Sequence, residues 1–180
     1  MGVLHNSREP VLLFAGLLYA QGFPFEAARE EMSRRWGPVL FASESFPFTH
    51  TDYYEREMGA GLTRVYLAFE NLIFPEDLVR FKRESHRMEE SFAREGARQV
   101  NIDPGYVHWA KVVLASTKDY SHRIYMRQGV YAEVTLRYEA GGYRPLEHTY
   151  PDYREAPSLR FFHQARELYA ERSRAGAGSR

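Results

Sequence analysis

Two segments in the second half of the chain hold a histidine, a carboxylate and a hydroxyl at spacings that would bring them together. A two-residue turn at Gln128-Gly129 predicts a β-hairpin. In that hairpin His122 lies opposite Thr135 and diagonal to Glu133, within side-chain reach of it. An imidazole beside a carboxylate can exchange protons with a substrate, or the two can share a divalent metal. The spacing therefore predicts one wall of a site.

The same hairpin is also typical of an ordinary solvated sheet face. The apolar alternation across Val130–Leu136 on the opposite face would arise without any function. A turn of odd length would move His122 to the other face and remove the argument. Strand alternation places Arg123 on the face away from His122, unless a β-bulge re-aims it. Both interpretations stay open at the level of the sequence.

The motif NIDPGY at Asn101–Tyr106 supplies a further carboxylate. Its Asp-Pro-Gly core is typical of a turn, in which Asp caps, Pro fixes φ and Gly adopts a positive φ. The motif follows a predicted strand, and carboxylates at strand ends often point into a cleft. We therefore expect Asp103, His122 and Glu133 to be the catalytic residues of any reaction and the ligands of any divalent metal.

We expect four motifs to converge on a cleft: NIDPGY, KDYSHRIY, AEVTL and TYPDY. Their cations would meet a phosphate or carboxylate, although ion pairing among themselves is the commoner fate. Their tyrosines have core packing as the alternative role, and Asp152 has turn capping. The residues expected to bind the ligand are Asn101, Tyr106, Lys118, Asp119, Arg123, Tyr131, Thr135, Asp152 and Tyr153.

The composition limits the chemistry. The chain has 180 residues and no cysteine, which excludes disulfides, thiolate zinc sites, iron–sulfur clusters and thiol catalysis. Its 24 basic and 24 acidic side chains balance, and a hydrophobic fraction of 44% predicts a folded protein. The sequence has no dense run of basic residues of the kind that favours nucleic-acid binding. Its C-terminal half is mildly basic, however, so an RNA or protein partner stays a possible interpretation.

The helices and strands that must position these residues are predicted from the periodicity of apolar residues and from the proline and glycine residues that bound each segment. Amphipathic helices are predicted to begin at Pro24, Pro75 and Pro157. Strands are predicted at Val11–Tyr19, Val39–Phe46, Leu62–Phe69, around Gln99–Ile102, at His122–Arg127 and Val130–Glu139, with a possible last one at Tyr143–Glu147. Tyr106–Ser116 fits a short helix or a strand, and we favour the helix.

The order β-α-β-β-α-β predicts the α+β class, with a ferredoxin-like antiparallel sheet that carries both helices on one face. A C-terminal β-hairpin and a terminal helix would be added to this core. We expect residues 1–9 to be a flexible N-terminus, residues 10–172 to form a single domain and residues 173–180 to be a disordered tail.

The subcellular location of the protein is predicted from its longest apolar run. Val11–Ala20 is too short to cross a bilayer, and it lacks the flanks of a secretory signal. We therefore expect a cytoplasmic protein with no membrane partner. The sequence contains no P-loop, no GxGxxG, no HExxH and no GxSxG motif, so it supports no nucleotide, metalloprotease or hydrolase site of those kinds.

The sequence resembles the prokaryotic domain-of-unknown-function family 4416. The likeness runs roughly from Pro10 to the last helix, and it rests on five motifs in order: FTHTDYYEREMG, NIDPGY, STKDYSHRIY, GVYAEVTL and TYPDYR. The family implies no established activity. Some members carry a GTP-binding description, which this chain does not support because it lacks a P-loop.

The resemblance adds a set of mostly polar residues that match the family's motifs. These residues are Asp52, Tyr53, Tyr54, Asn101, Asp103, Gly105, Tyr106, Lys118, Asp119, His122, Arg123, Tyr125, Glu133, Thr135, Tyr150, Asp152 and Tyr153. We expect a small anionic ligand, phosphorylated or not, in the predicted cleft, with or without a divalent metal; whether a reaction follows is open. The alternative is a non-enzymatic module that contacts protein or RNA through its basic C-terminal half.

Overall fold

A computed structural model describes residues 9–50 and 54–177 of the chain. The signature residues Asp52 and Tyr53 lie outside these ranges, as do nearly all of the predicted flexible N-terminus and the last three residues of the predicted tail. The final helix continues to Ala177, past Ser173, where that tail was expected to begin. Within the described ranges, no helix is both long and apolar enough to cross a membrane.

The described part of the chain forms one antiparallel sheet of nine strands. These are β1 (Val11–Tyr19), β2 (Val39–Ala42), β3 (Phe46–Pro47), β4 (Thr63–Ile73), β5 (Val100–His108), β6 (Lys111–Ser116), β7 (Ile124–Arg127), β8 (Val130–Glu139) and β9 (Gly142–Pro145). The spatial order is β2-β4-β1-β5-β6-β8-β7, with β3 paired to β4 and β9 to β8. The α+β class and the antiparallel sheet are therefore confirmed, and the sheet is larger than predicted.

Four α-helices accompany the sheet: α1 (Phe25–Trp36), α2 (Glu55–Met58), α3 (Leu78–Ser91) and α4 (Ala156–Ala177). Short 3-10 turns at Pro75–Asp77 and Pro151–Arg154 precede α3 and α4. Pro24 and Pro75 stand where α1 and the turn before α3 begin, since a proline has no N–H to leave unbonded there. Gly37, at φ 101°, ends α1.

The central strands of the sheet are buried on both faces. On one face, Leu13 of β1 packs with Met32 of α1 and Phe81 of α3 in a single apolar cluster. On the other face, Phe14 packs with Phe162 of α4. Because successive strand residues point to opposite faces, β1 is apolar at almost every position, as a doubly covered strand must be.

The helix predicted at Tyr106–Ser116 is wrong. The segment instead forms the end of β5, a two-residue turn at Trp109-Ala110, and β6. Its apolar run lacks the glycine or proline that would have marked the turn. Burial of both faces also removes the alternation by which a half-exposed strand is recognised.

The turn predicted for the Asp-Pro-Gly core of NIDPGY is also wrong, because Pro104 lies inside β5. The Ile102 N–H points away from β1, toward a side chain of α3, and Pro104, two residues on, faces the same way. Pairing with β6 begins only at Gly105. The missing N–H of proline therefore breaks no ladder hydrogen bond.

Candidate functional site

A buried carboxylate on β8 organises the C-terminal polar residues. Glu133 has a side chain that is only 1% exposed. Its Oε2 lies 3.2 Å from Nε2 of His122, and its Oε1 accepts a hydrogen bond from the Thr135 hydroxyl at 3.3 Å. The structure thus brings together the three residues that the hairpin argument grouped, although not through the predicted pairing.

The difference lies in a β-bulge at Met126. The turn pairs Arg127 with Val130 as predicted, but before the bulge the register moves by one, so Ile124 lies opposite Ala132 and not opposite Glu133. His122 lies in the turn before β7, outside any ladder. A bulge inserts an unpaired residue and re-aims the chain that precedes it. Nothing in the sequence marks its position.

The bulge also corrects the predicted orientation of Arg123, which was placed on the face away from Glu133. Its Nε donates to Glu133 Oε2 at 2.6 Å, and its Nη1 donates to the Ser116 hydroxyl at 2.6 Å and the Lys118 carbonyl at 2.9 Å. Nη2 donates to the Tyr150 hydroxyl at 2.8 Å. Burial would lower the pKa of the guanidinium, but Glu133 and Tyr150 raise it above its ordinary value. Arg123 therefore fixes the site by tying separate segments together.

Two imidazoles stack at the surface of this network. His122, with 27% of its side chain exposed, lies over His148 with ring centroids 4.2 Å apart and planes 13° apart. Nε2 of His148 lies 2.9 Å from the carbonyl oxygen of Val134. A carbonyl only accepts, so this nitrogen carries a proton. His148 was missed because 26 residues separate it from His122.

A second polar group lies under α4. Arg64 and Asp152 have side chains 4% and 3% exposed, with Nη2 and Oδ2 2.8 Å apart. The guanidinium also lies 5.5 Å from the ring centre of Phe48. Among the described residues, the Nε and Nη1 atoms of Arg64 and the hydroxyl of Tyr153 have no hydrogen-bond partner. Sequence reasoning missed Arg64, although a charge inside the apolar run Leu62–Phe69 signals a buried pair.

Asp103 belongs to this second group. Lys82 of α3 donates to its Oδ1 at 3.1 Å, and Asn101 Nδ2 donates to its Oδ2 at 2.5 Å. Burial would raise the pKa of the Asp103 carboxyl, but the Lys82 and Arg64 cations outweigh it and hold that pKa below the usual range. The sequence did not identify Lys82, although it falls on the buried stripe of α3.

The edge of β5 is closed by α3. Glu89 Oε1 accepts the Ile102 N–H at 2.6 Å, and Lys82 Nζ donates to the Ile102 carbonyl at 3.4 Å. Burial raises the pKa of Glu89, against the opposing charge of Lys82. Side chains of one helix thus bind the backbone groups that a neighbouring strand would otherwise bind.

The two groups meet through tyrosines. Tyr150 accepts from Arg123, and together with Asp103 it lies close enough to Tyr54 to act on that phenol. Burial is the main reason that the pKa of Tyr54 lies well above its ordinary value, and the Asp103 charge adds to it. The polar residues therefore form one region over one end of the sheet, on the α4 side.

The predicted metal set is not brought together. Asp103 is bound by Lys82 and Asn101, whereas Glu133 is bound by Arg123 and lies against His122. Within residues 9–50 and 54–177, no three His, Asp or Glu side chains cluster closely enough to hold a metal ion. The sequence prediction placed Asp103 in a turn that converges on the cleft, whereas the structure places it inside β5.

The remaining predicted residues are spread out. Tyr106 packs between two apolar clusters on the α3 side of the sheet, away from the polar groups on the α4 side. Asp119 is exposed and lies near Tyr131, whose ring packs edge-on against Tyr125 at 5.3 Å. Lys118 enters the network through its backbone, donating its N–H to Ser116 and accepting from Arg123.

Replacing Asp103 with asparagine should lower the free energy of unfolding by about 1–3 kcal/mol at neutral pH, because buried Lys82 loses its charged partner. A carboxyl whose folded pKa is depressed stabilises the fold above its unfolded pKa of about 4, and this contribution is lost as the pH falls through the folded pKa. Urea unfolding of parent and D103N at pH 7 and pH 3 measures the difference.

The difference in unfolding free energy between the parent protein and D103N should be smaller at pH 3 than at pH 7. E139Q is the matched control, because Glu139 forms an exposed pair with Arg137 and should change stability little at either pH. A D103N effect that is equal at both pH values would contradict the assignment of Asp103 as a charged partner of Lys82.

The family of the chain was identified by comparison with known proteins. A family model described as a domain of unknown function (DUF4416) matches residues 9–169. No curated protein matches the chain significantly, and neither does any solved structure. The match spans every strand of the sheet and both polar groups. The chain therefore belongs to the DUF4416 family.

Proposed function

We propose that this protein binds a small anionic ligand over the stacked histidines, with His122 as the group that exchanges a proton or a hydrogen bond with it. One observation carries the proposal. Glu133, 1% exposed, lies 3.2 Å from a ring nitrogen of the partly exposed His122. A buried carboxylate that orients a surface imidazole supports proton transfer and ligand polarisation, because it fixes the tautomer and direction of the ring.

The surroundings supply the features that an anion needs. The ring of Tyr120 packs beside His122 with ring centroids 5.9 Å apart, Tyr150 accepts a hydrogen bond from Arg123, and both tyrosines are half-exposed. Arg123 holds Tyr150 from below, so its hydroxyl has a fixed position. Deeper in the same region, Arg64 retains two N–H groups without partners among the described residues. Unpaired buried donors of this kind are commonly satisfied by a water or a ligand.

A divalent metal is the less favoured version of this proposal. His122 and Glu133 would supply two ligands, and Arg123 already occupies the carboxylate oxygen that faces the histidine. A cation would have to compete with that guanidinium for the same atom. The observed contacts therefore favour an anion met by an imidazole over a metal met by a carboxylate.

The test is a thermal-shift screen of the metal-stripped protein against inorganic phosphate, phosphate esters, nucleotides, dicarboxylates and divalent cations. A ligand at about 100 times its Kd stabilises the folded state by about 2.7 kcal/mol, which corresponds to a rise in Tm of roughly 5–10 °C for a chain of this size. We expect at least one anion class to produce this rise, and H122A to abolish it.

The control is H163A, which removes an imidazole that is paired with Glu167 on the exposed face of α4. H163A should keep the full thermal shift. Circular dichroism of H122A checks that the fold is retained, as expected for a side chain that is partly exposed. If every anion that stabilises the parent protein stabilised H122A equally, the proposed site would be wrong, and so it would be if no anion raised the Tm.

A second candidate function is contact with a macromolecular partner. The observation that favours it is the edge strand β7, on which Ile124 is 72% and Tyr125 57% exposed, beside the half-exposed Met126. Exposed apolar residues on a sheet edge are uncommon in a monomer that binds only small molecules. This candidate would lead if the ligand screen were negative, and a steep salt dependence of RNA binding would assign the partner to RNA.

We also propose that β1, α1, β2, β4, α3 and β5 form a ferredoxin-like core. Their spatial order, β2-β4-β1-β5, and their antiparallel pairing support it. In that arrangement two split β-α-β units interlock and place their helices on one face, where α1 and α3 share an apolar cluster. The strands β6 to β9 would then extend this core, and α4 would cover its second face.

A further inference from the structure

A basic pocket lies between α3 and the β7–β8 turn, apart from the histidine region. Its volume is about 180 Å³. The residues that line it are Arg80, Arg83, Glu84, Arg87, Arg127 and Gln128. Residues three and four apart on a helix share a face, so the three arginines of α3 form one row along its exposed side. The fourth arginine comes from the end of β7.

The charge in this pocket is unbalanced. Glu84 is its one carboxylate, and it already accepts the Trp36 indole N–H at 2.8 Å and an Arg80 N–H at 3.2 Å. Arg87 and Arg127 form no ion pair with any described residue. Arg83 donates only to the neutral Gln128, so among the described residues three of the four guanidinium charges at the pocket have no counter-charge, and Arg80 alone is paired with Glu84.

The pocket is also held in shape. Arg83 Nη1 donates to the Gln128 side-chain oxygen at 2.7 Å, which fastens the turn to α3. Gln128 and Gly129 adopt φ values of 54° and 75°, as a tight two-residue hairpin turn requires. Beneath it, Val130 packs against Leu78 and Val79 of α3. The arginines are thus presented by two packed elements rather than by a loose loop.

We infer that this pocket binds a phosphoryl group of a small phosphate or polyphosphate compound. Guanidinium forks match phosphate oxygens in paired, charge-assisted hydrogen bonds, and lysine, which is absent from the lining, would offer only a point charge. Four like charges around one pocket repel each other, and a bound dianion relieves that repulsion. The volume suits one or two phosphoryl groups rather than a folded partner.

The pocket is independent of the proposed ligand site. Glu133 pairs across the ladder with Leu114, which packs on the α4 side of the sheet, whereas the arginine row lies on the α3 side. H122A should therefore leave phosphate binding at the pocket unchanged. Failure of one site and failure of the other are separate results.

The experiment is calorimetric titration of the full chain with pyrophosphate at low ionic strength. R87A/R127A should weaken pyrophosphate binding by about tenfold or more, because each arginine would make a charge-assisted hydrogen bond. R87K/R127K keeps the charge and loses the fork, so it should give a smaller loss. The control is R144A on β9, which removes an exposed arginine that does not line the pocket.

Retained affinity in R87A/R127A would overturn the inference. An equal loss in R144A would also overturn it, because the attraction would then follow net charge. Binding of a single-stranded RNA that requires Arg87 and Arg127, without binding of pyrophosphate, would reassign the surface to nucleic acid. Because both mutated side chains are exposed, circular dichroism should show an unchanged fold in every variant.

Discussion

Asp152→Ala should lower the free energy of unfolding by about 3–5 kcal/mol. The substitution leaves the buried guanidinium of Arg64 without its counter-charge, in a pocket where two of its nitrogens already lack partners. An uncompensated buried charge is among the most destabilising changes that a single substitution can make. Urea unfolding with linear extrapolation measures the loss as a fall in the midpoint.

The double variant R64M/D152A separates the effect of the unpaired charge on stability from the effect of lost packing. Removing both charges should restore much of the stability that D152A loses, because methionine fills the space of the arginine stem without needing a counter-ion. The control is E44A, which breaks the exposed pair between Glu44 and Arg160 and should cost little. If D152A proved as mild as E44A, the buried pair would contribute nothing to stability.

Gly105→Ala should destabilise the fold by about 3 kcal/mol or more. A Cβ at this position would lie 2.5 Å from the Phe14 ring and 2.5 Å from the Val113 carbonyl oxygen. A ring can rotate, but the carbonyl belongs to the β6 backbone, so the strands themselves must move apart. Thermal and urea unfolding of G105A measure the effect.

Gly142 offers the matched control for this prediction. A Cβ there meets nothing within 4 Å, and its backbone is not left-handed, so G142A should change stability by less than about 0.5 kcal/mol. The double variant G105A/F14L should recover only part of the loss, since leucine removes the ring clash and leaves the carbonyl clash. Equal midpoints for G105A and G142A would show that β5 and β6 can separate without cost.

Sequence patterns predicted the strands that carry a clear local signal. The bounds of β1 and β8 agree with the prediction, because one is an unbroken apolar run and the other alternates up to a two-residue turn. The segment 106–116 failed for the opposite reason, since it is buried on both faces and its turn carries no glycine or proline. Pro104 was predicted to lie in a turn for a related reason. A proline fits inside a strand where its position needs no ladder hydrogen bond, and that depends on the tertiary structure.

The candidate site was predictable only where its partners are close in sequence. His122 lies two residues before the β7–β8 hairpin that carries Glu133, so the two residues are close in sequence and their contact is local. Arg64 and Asp152 are 88 positions apart, and no local spacing relates them. The bulge at Met126, which turns Arg123 toward Glu133, depends on packing and leaves no trace in residue type. Such contacts require the fold before they can be recognised.

The way in which α3 closes the edge of β5 has a consequence for folding. Lys82 and Glu89 are seven residues apart, two helical turns or roughly 10 Å, and together they bind the carbonyl and the amide of Ile102. A strand that slipped by one residue would turn those two groups toward β1 and present its side chains to the wrong faces. The helix α3 therefore favours a single alignment of β5, because only that alignment leaves both backbone groups of Ile102 within reach of Lys82 and Glu89.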